Sequence, residues 1–403
     1  MISSSLPWRR DRLKYVLPLL SLLALTEFVR TGFYAAFLPV YGTHHLGLNL
    51  ALIGLAMALH YGADSFSKSV GGYLAEHLGL GRMVLLGALV GLVVVFGVVY
   101  LHSAWLLLLL AMVHGVSLSP LWPGVMTLAN SSARPGEESR AIGFANMAVN
   151  PFIGVGFLAI SFLVHPTLSV GHEPLAWLIL LGLQAVIALL AVSQWKLGGH
   201  QLRHSGRSTQ EAYRWTQLMP LVPAALVQTL AITLLGPVIN LFSAAVGLST
   251  LQLAAMVLLG GLTAYGFLNL SGRLADRYNP RWVLVCGLVL VSLAFSALAA
   301  LPRLHWYYPI AILAGLGYSA IVPGWGGLVA KSLPKANRAA TWGALMTVES
   351  LGTASGPLVG GFAWTTWGIR SPFVIAASLL FLAALFYLVT SRSRWVGRSW
   401  AAQ

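Results

Sequence analysis

Long apolar runs separated by short polar connections constrain the fold of this chain more than any other feature. Windows of roughly 20 apolar residues, the length that a helix needs to cross a bilayer, recur along the whole sequence. Backbone groups in hydrocarbon must be paired internally, and these runs are too long and continuous for the alternating strands of a barrel. Candidate spans lie at 15–41, 51–75, 83–101, 104–130, 141–165, 175–195, 217–244, 250–275, 282–301, 307–330, 340–366 and 371–391.

The low content of charged residues supports the same interpretation. Only 8% of the 403 residues are charged, whereas soluble domains carry roughly 25%. The sequence therefore predicts an all-α membrane protein with twelve transmembrane helices. A polar stretch at 196–215 is the only substantial linker, so we expect a six-helix bundle at 1–195 and a second at 216–403.

The distribution of Lys and Arg predicts the orientation in the membrane. Of 24 such residues, Arg30 and Lys68 fall inside spans, and Arg303 and Arg370 lie on one side. The other 20 occupy the two termini and the connections on the opposite side. By the positive-inside rule both termini are expected to be cytoplasmic, which requires an even number of spans. The net charge of +14 is then a topology signal, and no nucleic-acid partner is expected.

The two halves of the sequence are related by an internal repeat. Gly72-Tyr73-Leu74-Ala75-Glu76 is matched 200 residues later by Gly272-Arg273-Leu274-Ala275-Asp276. At the same offset Trp122-Pro123-Gly124 is matched by Val322-Pro323-Gly324. Registered matches in one order indicate duplication of a six-helix unit.

The repeated segment resembles the loop signature of the major facilitator superfamily. Its residues are Gly72, Glu76 and Arg82 after the second span, and Gly272, Asp276 and Arg281 after the eighth. The resemblance implies two pseudo-symmetric bundles that rock about a central cavity and open it alternately to each side. It also implies that the glycines permit close helix packing and that acid and base lock the cytoplasmic side.

A glycine pattern marks the eleventh span. Gly352-x-x-x-Gly356-Pro357-x-x-Gly360-Gly361 resembles the motif that drug and metabolite antiporters carry in their fifth helix. The alternative interpretation is a bend that shapes helix packing.

The first span contains an acid and a base. Charged groups inside a membrane helix cost at least roughly 2.5–3.5 kcal/mol each on insertion scales, so they are functional hypotheses by default. Glu27 and Arg30 are three residues apart, share a helix face and can neutralise one another. Tyr34 extends that face by one turn. The alternative is a purely structural ion pair.

The second and fourth spans add further polar groups. His60, Asp64 and Lys68 recur every four residues and form a second polar stripe. With Trp122 and His114 of the fourth span, they provide the parts of a polar, aromatic-lined pocket. The alternatives are a structural Asp64–Lys68 pair with Lys68 reaching toward the interface, histidines that only pack between helices, and a tryptophan that only fills a kink.

The second half differs from the first at the matching positions. Val227 corresponds to Glu27, Ala264 to Asp64 and Val322 to Trp122, so the repeat predicts a cavity that is polar on one wall and apolar on the other. This division suits an amphiphile with a polar head and acyl chains. Glu349 of the eleventh span is the remaining candidate site residue, and we expect it to face either the cavity or a neighbouring helix.

A narrower resemblance rests on these same residues. The segment Thr26-Glu27-Phe28-Val29-Arg30-Thr31-Gly32-Phe33-Tyr34, with Asp64, Lys68 and Trp122-Pro123-Gly124, resembles the lipoteichoic-acid glycolipid flippases. It implies that the acid–base pair, the aspartate and the tryptophan line a headgroup pocket. It also implies proton-coupled movement of a diglucosyl-diacylglycerol type of lipid across a bacterial cytoplasmic membrane.

Proton-coupled alternating access is the mechanism that we predict from these features. Burial favours the neutral form of an acid and a nearby base favours the charged form, so opening to either side can change proton occupancy. The expected partners are protons, membrane lipids and a lipid or amphiphilic substrate, and the chain is expected to act as a monomer. The alternative is a proton-driven exporter of drugs or small metabolites.

Other classes of function find little support in the sequence. It contains no paired-histidine metal motif, phosphate-binding loop or serine nucleophile motif, so neither an enzyme nor a cofactor is expected. The single Cys286 excludes a disulfide within the chain. A channel would not require the duplicated loop signature.

Overall fold

The computed structural model describes residues 7–100, 103–134, 138–164, 173–196, 219–332 and 338–390. It divides into two compact units, Met1–Arg207 and Ser208–Gln403. The described residues are almost entirely helical, with a single isolated β-bridge between Trp8 and Ala133. The proposed linker at 196–215 lies, apart from its first residue, outside the described residues.

Eight α-helices form the described part of the first unit. A π-helical segment, Gly32–Phe37, joins the first two of them. The helices are α1 (Leu13–Thr31), α2 (Leu38–His44), α3 (Leu50–Leu78), α4 (Leu80–Gly97), α5 (Ala104–Leu118), α6 (Leu121–Ser131), α7 (Glu138–Val164) and α8 (Glu173–Gln194).

Seven α-helices form the described part of the second unit. They are α9 (Val222–Thr233), α10 (Ile239–Ala245), α11 (Thr250–Arg277), α12 (Pro280–Ala299), α13 (Tyr307–Ser332), α14 (Arg338–Trp367) and α15 (Ser371–Thr390). Every apolar run predicted from the sequence contains a helix or a pair of consecutive helices. Within the described ranges, nine helical segments are long and apolar enough to cross a membrane by length and composition.

Large apolar side chains cover the outer surfaces of these helices. Leu189 is 72% exposed and Leu262 is 70% exposed. Soluble proteins rarely present extensive apolar patches to water, whereas a bilayer solvates such side chains without cost. The distribution of apolar residues therefore matches the lipid environment predicted from the low charge content.

Glycines allow α1 and α7 to pack closely at the depth of the charged residues. A Cβ atom on Gly32 would lie 2.7 Å from Cγ1 of Ile160, and one on Gly156 would lie 2.7 Å from Cα of Phe28. Small residues at such crossings are the usual means of helix association in membranes. The crossing fixes the chain at Phe28, between Glu27 and Arg30, and at Gly32, two residues after Arg30.

The glycine pattern of the eleventh span forms the packing face of α14. Added Cβ atoms on Gly352, Gly356 and Gly360 would collide with the backbone of α9 and the turn that follows it. The helix α14 continues through Pro357 from Arg338 to Trp367. The pattern therefore serves close helix packing, one part of the structural interpretation drawn from the sequence.

Candidate functional site

An ion pair on α1 forms the centre of the polar cluster in the first unit. Nη2 of Arg30 lies 2.7 Å from Oε2 of Glu27, and the Glu27 side chain is 1% exposed. The i, i+3 spacing predicted this contact. The indole Nε1–H of Trp122 on α6 donates a 2.7 Å hydrogen bond to Oε1 of Glu27. Each carboxylate oxygen of this buried acid thus lies near a nitrogen of a different residue.

Arg30 also reaches a second acid. Its Nη1 lies 3.3 Å from Oδ2 of Asp64 on α3, which is buried. Nζ of Lys68 lies 3.8 Å from the same oxygen, and the Lys68 side chain is 36% exposed. Two acids and two bases therefore form one network, in which the guanidinium of Arg30 bridges α1 and α3.

Tyr61 completes the surroundings of Arg30, and sequence reasoning missed it. The guanidinium carbon of Arg30 lies 5.4 Å from the centre of the Tyr61 ring, within the range of a cation–π contact. Tyr61 precedes Asp64 by three residues, so helical periodicity places both on the same side of α3. That spacing was the signal available in the sequence.

Tyr34, His60 and His114 form a buried aromatic cluster next to the charged network. The Tyr34 hydroxyl lies 3.1 Å from Nδ1 of His114, and its ring stacks on that of His60 with centroids 4.0 Å apart. Nδ1 of His60 lies 3.3 Å from the carbonyl oxygen of Ala111 on α5. Tyr34 therefore joins the histidines of α3 and α5, which the sequence assigned to the same pocket.

The second unit contains a polar cluster that the sequence analysis missed. The indole Nε1–H of Trp325 on α13 donates a 2.6 Å hydrogen bond to Oε1 of Glu349 on α14. The Gln228 amide on α9 donates a longer, 3.4 Å bond to the same oxygen. The prediction that only the first half provides polar and aromatic groups for a pocket is therefore wrong. Repeat alignment failed because Trp325 follows Val322, the position matched to Trp122, by nearly one helical turn.

A cavity of about 340 Å³ lies within the second unit. Its volume falls within the range of about 300–1,000 Å³ typical of ligand pockets. The walls are almost entirely apolar, and Ala264, which the repeat matches to Asp64, is part of them. Gln228 lines the cavity and also contacts Glu349. The apolar character predicted for the second half is present in this cavity.

The residues of the loop signature have different surroundings in the two copies. Gly72 has no atom within 4 Å of an added Cβ, whereas one on Gly71 would lie 2.6 Å from Oγ of Ser119. The close-packing role predicted for Gly72 therefore belongs to its neighbour. Glu76 lies near the end of α3, and Arg82 is exposed on the first turn of α4.

In the second copy the base is directed to the end of another helix. Arg281, buried on the first turn of α12, donates to the carbonyl oxygen of Tyr387 and, at 3.0 Å, to Oγ1 of Thr390 on α15. Asp276 on α11 is exposed, and it is not in an ion pair with any described residue. A cation at a helix C-terminus complements its unpaired carbonyls. An added Cβ on Gly272 would make only an ordinary contact, 4.0 Å from Pro323.

Discontinuous helices, buried charges and an apolar cavity in a set of apolar spans are features of a secondary membrane transporter. The chain belongs to the Major Facilitator Superfamily, whose family model matches residues 20–218 and 221–400. It is a transporter and not an enzyme, and a multi-pass protein of the bacterial cytoplasmic membrane.

Its curated relatives confirm the narrower resemblance. The chain is 26% identical over 397 residues to the proton-coupled antiporter flippase LtaA of Staphylococcus saprophyticus, covering 96% of each chain. It is 24% identical over 401 residues to the protein of the same name from Staphylococcus aureus (strain USA300), covering 96% of this chain and 97% of the relative.

Solved structures share the fold at lower sequence identity. The nucleoside transporter NupG superposes with a TM-score of 0.73 at 14% identity, covering 94% of this chain and 99% of that one. A bacterial homologue of the human lysosomal transporter Spinster gives 0.73 at 17% identity, covering 95% and 97%. These similarities concern the fold alone.

Proposed function

We propose that the protein is a proton-coupled antiporter that flips a glycolipid of the diglucosyl-diacylglycerol type by alternating access. The observation that carries the proposal is the sharing of Arg30 between two buried acids, Glu27 and Asp64. When one of these acids is protonated, the shared base can exchange it for a ligand oxygen and keep its ion pair with the other acid. The names of the relatives from Staphylococcus support the same function.

The proposed topology has twelve transmembrane helices with both termini in the cytoplasm. In this arrangement α1 and α2 form one crossing, as do α5 with α6 and α9 with α10, because each pair follows one apolar run. The first bundle would comprise residues 1–195 and the second residues 216–403, joined by a cytoplasmic linker at 196–215. The excess of Lys and Arg in alternate connections supports this orientation.

Proton and substrate would compete for the same cation. Protonation of Glu27 or Asp64 removes a negative charge next to Arg30, and the guanidinium can then bind a headgroup oxygen with its planar fork of donors. Deprotonation restores the ion pair and expels the headgroup. Because either ligand weakens the other through one shared charge, their free energies are coupled, as antiport requires.

The two units suit different parts of an amphiphile. The cluster around Arg30 offers charged and aromatic groups to a sugar headgroup, while the 340 Å³ cavity in the second unit offers almost exclusively apolar walls. Acyl chains can move from bilayer hydrocarbon into such surroundings without being exposed to water. A glycolipid uses both sets of contacts, whereas a small polar solute would gain little from the cavity.

The test is a transport assay in proteoliposomes with an imposed pH gradient. Movement of a labelled diglucosyl-diacylglycerol across the bilayer is followed for the wild type and for Glu27→Gln and Asp64→Asn. We expect gradient-dependent movement in the wild type and none in either variant. Asp11→Asn is the matched control, because Asp11 is 71% exposed and outside the network.

Two further substrates separate the function from its alternatives. A labelled phospholipid tests whether the transporter distinguishes the sugar headgroup, and a cationic dye tests small-molecule export. Dye transport without glycolipid movement would assign the protein to drug efflux. Unchanged gradient-driven transport in both variants would exclude the proposed coupling through Glu27 and Asp64.

A further inference from the structure

The two units each hold a buried or half-buried carboxylate that accepts a hydrogen bond from a tryptophan. In the first unit Trp122 on α6 donates to Glu27 on α1 over 2.7 Å. In the second unit Trp325 on α13 donates to Glu349 on α14 over 2.6 Å. The tryptophans come from matching spans of the two halves, with Trp325 three residues beyond the position matched to Trp122, but the acids come from spans that do not match.

The position of Glu349 is fixed by several contacts. The hydroxyls of Thr229 and Thr353 donate to its backbone oxygen over 2.8 and 3.0 Å. The glycine face of α14 holds the helix against α9, because side chains at Gly352 and Gly356 would collide with it. These contacts hold the backbone at Glu349 and so keep its carboxyl group within reach of Trp325 and Gln228, as a specific binding site requires.

The hydrogen bonds leave one carboxyl oxygen available. Trp325 and Gln228 both donate to Oε1 of Glu349, and no described side chain donates to Oε2. A carboxyl group that accepts bonds only at Oε1 can carry a proton at Oε2 without losing either of them. Gln228 also lines the apolar cavity, so an occupant of the cavity would contact a residue that binds Glu349.

No cation balances Glu349 among the described side chains, in contrast to Glu27. The helix α9 packed against it has no ionisable residue. On α15 the ionisable group is Tyr387, which donates to the backbone oxygen of Pro220. On α13 the described ionisable side chains are three tyrosines, of which Tyr318 faces the cavity. An isolated charge in such surroundings is costly, and binding a proton removes it.

We propose that Glu349 is a second proton-binding site, separate from the Glu27–Arg30–Asp64 network. A proton taken from water forms an O–H bond at Oε2, and its loss returns the carboxylate that accepts from Trp325. The site deepens the proton-coupled transport proposed above by adding a proton carrier in the second unit. Proton binding itself does not require the glycolipid, so it is measured without assuming the substrate.

Infrared difference spectroscopy of the full chain in lipid tests the site directly. The C=O stretch of a protonated carboxyl group, which is lost when the proton leaves, is followed while the pH is varied between about 5 and 9, where an ordinary carboxyl group is mostly ionised. We expect a band that titrates in the wild type and is missing in Glu349→Gln. In Trp325→Phe the band should move in frequency, since the donor to Oε1 is lost.

Matched variants distinguish the two sites and show whether a lost band is due to misfolding. Glu27→Gln should keep the Glu349 band, and the melting temperature of Glu349→Gln should stay close to that of the wild type because the amide preserves shape. A wild-type spectrum with no band that depends on Glu349, or a Glu349 band that is constant over the whole pH range, would overturn the proposal. Either result would leave the glycolipid transport assay unaffected.

A transport measurement adds the stoichiometry. If both sites carry protons, the ratio of protons to substrate obtained from reversal of the pH gradient should be lower by about one in Glu349→Gln than in the wild type. An unchanged ratio in a variant that still transports would also overturn the proposal.

Discussion

The guanidinium of Arg30 lies 3.3 Å from the carboxylate of Asp64, although the two residues are 34 positions apart. This contact joins α1 to α3 and makes Arg30 the common partner of two acids. Because the network is buried, its charges depend on one another for stability as well as for transport.

Removal of Arg30 should destabilise the protein more than removal of either acid. Arg30→Leu leaves Glu27 without its cation, which typically costs about 3–5 kcal/mol for a buried pair. Glu27→Gln leaves Arg30 paired with Asp64, so its effect should be smaller. Thermal unfolding in detergent measures the difference, and equal melting temperatures for the two variants would contradict the shared role of Arg30.

Replacement of Trp122 by phenylalanine isolates its hydrogen bond. Trp122→Phe keeps an aromatic ring but loses the indole donor to Glu27, a bond to a charged group worth about 1.5–3 kcal/mol. We expect proton-driven transport to fall by about tenfold or more, since 1.4 kcal/mol corresponds to a factor of ten. Trp105→Phe is the control, because Trp105 is 80% exposed. Equal transport by the two variants would exclude a role for the indole donor.

Tyr34 should contribute more through packing than through its hydroxyl. Tyr34→Phe removes the bond to His114 but keeps the stacking on His60, so we expect a loss of about 1 kcal/mol. Tyr34→Ala also opens a cavity and should cost about 3–5 kcal/mol, as for other buried aromatic residues. Unfolding of both variants is compared, and similar losses would indicate that the hydroxyl dominates.

The α9–α14 contact should not tolerate a methyl group. A Cβ on Gly356 would lie 2.7 Å from the backbone oxygen of Leu230, so Gly356→Ala should cost about 1–3 kcal/mol by overpacking. Gly266→Ala on α11 is the matched control, since a Cβ there meets no atom within 4 Å. Stability in detergent should fall in the first variant only. A comparable loss in both would indicate a general intolerance of alanine.

The membrane spans and part of the network around Arg30 could be predicted from local features of the sequence. Apolar runs determine where helices form, because backbone groups in lipid must pair internally. The Glu27–Arg30 contact follows from helical spacing, and the stripe of His60, Asp64 and Lys68 follows from the same period. Contacts between helices, such as that of Arg30 with Tyr61, required knowledge of which faces meet.

Glu349 shows which properties of a site follow from the sequence and which follow only from the tertiary structure. The sequence by itself determined that a carboxylate lies in an apolar span, since composition and spacing are local properties. Only the tertiary structure decided that Trp325 and Gln228 bind it, because these residues come from two other helices and Gln228 precedes Glu349 by 121 residues. Their meeting depends on how the glycine face of α14 packs against α9, and a packing geometry is a property of two surfaces rather than of one sequence segment.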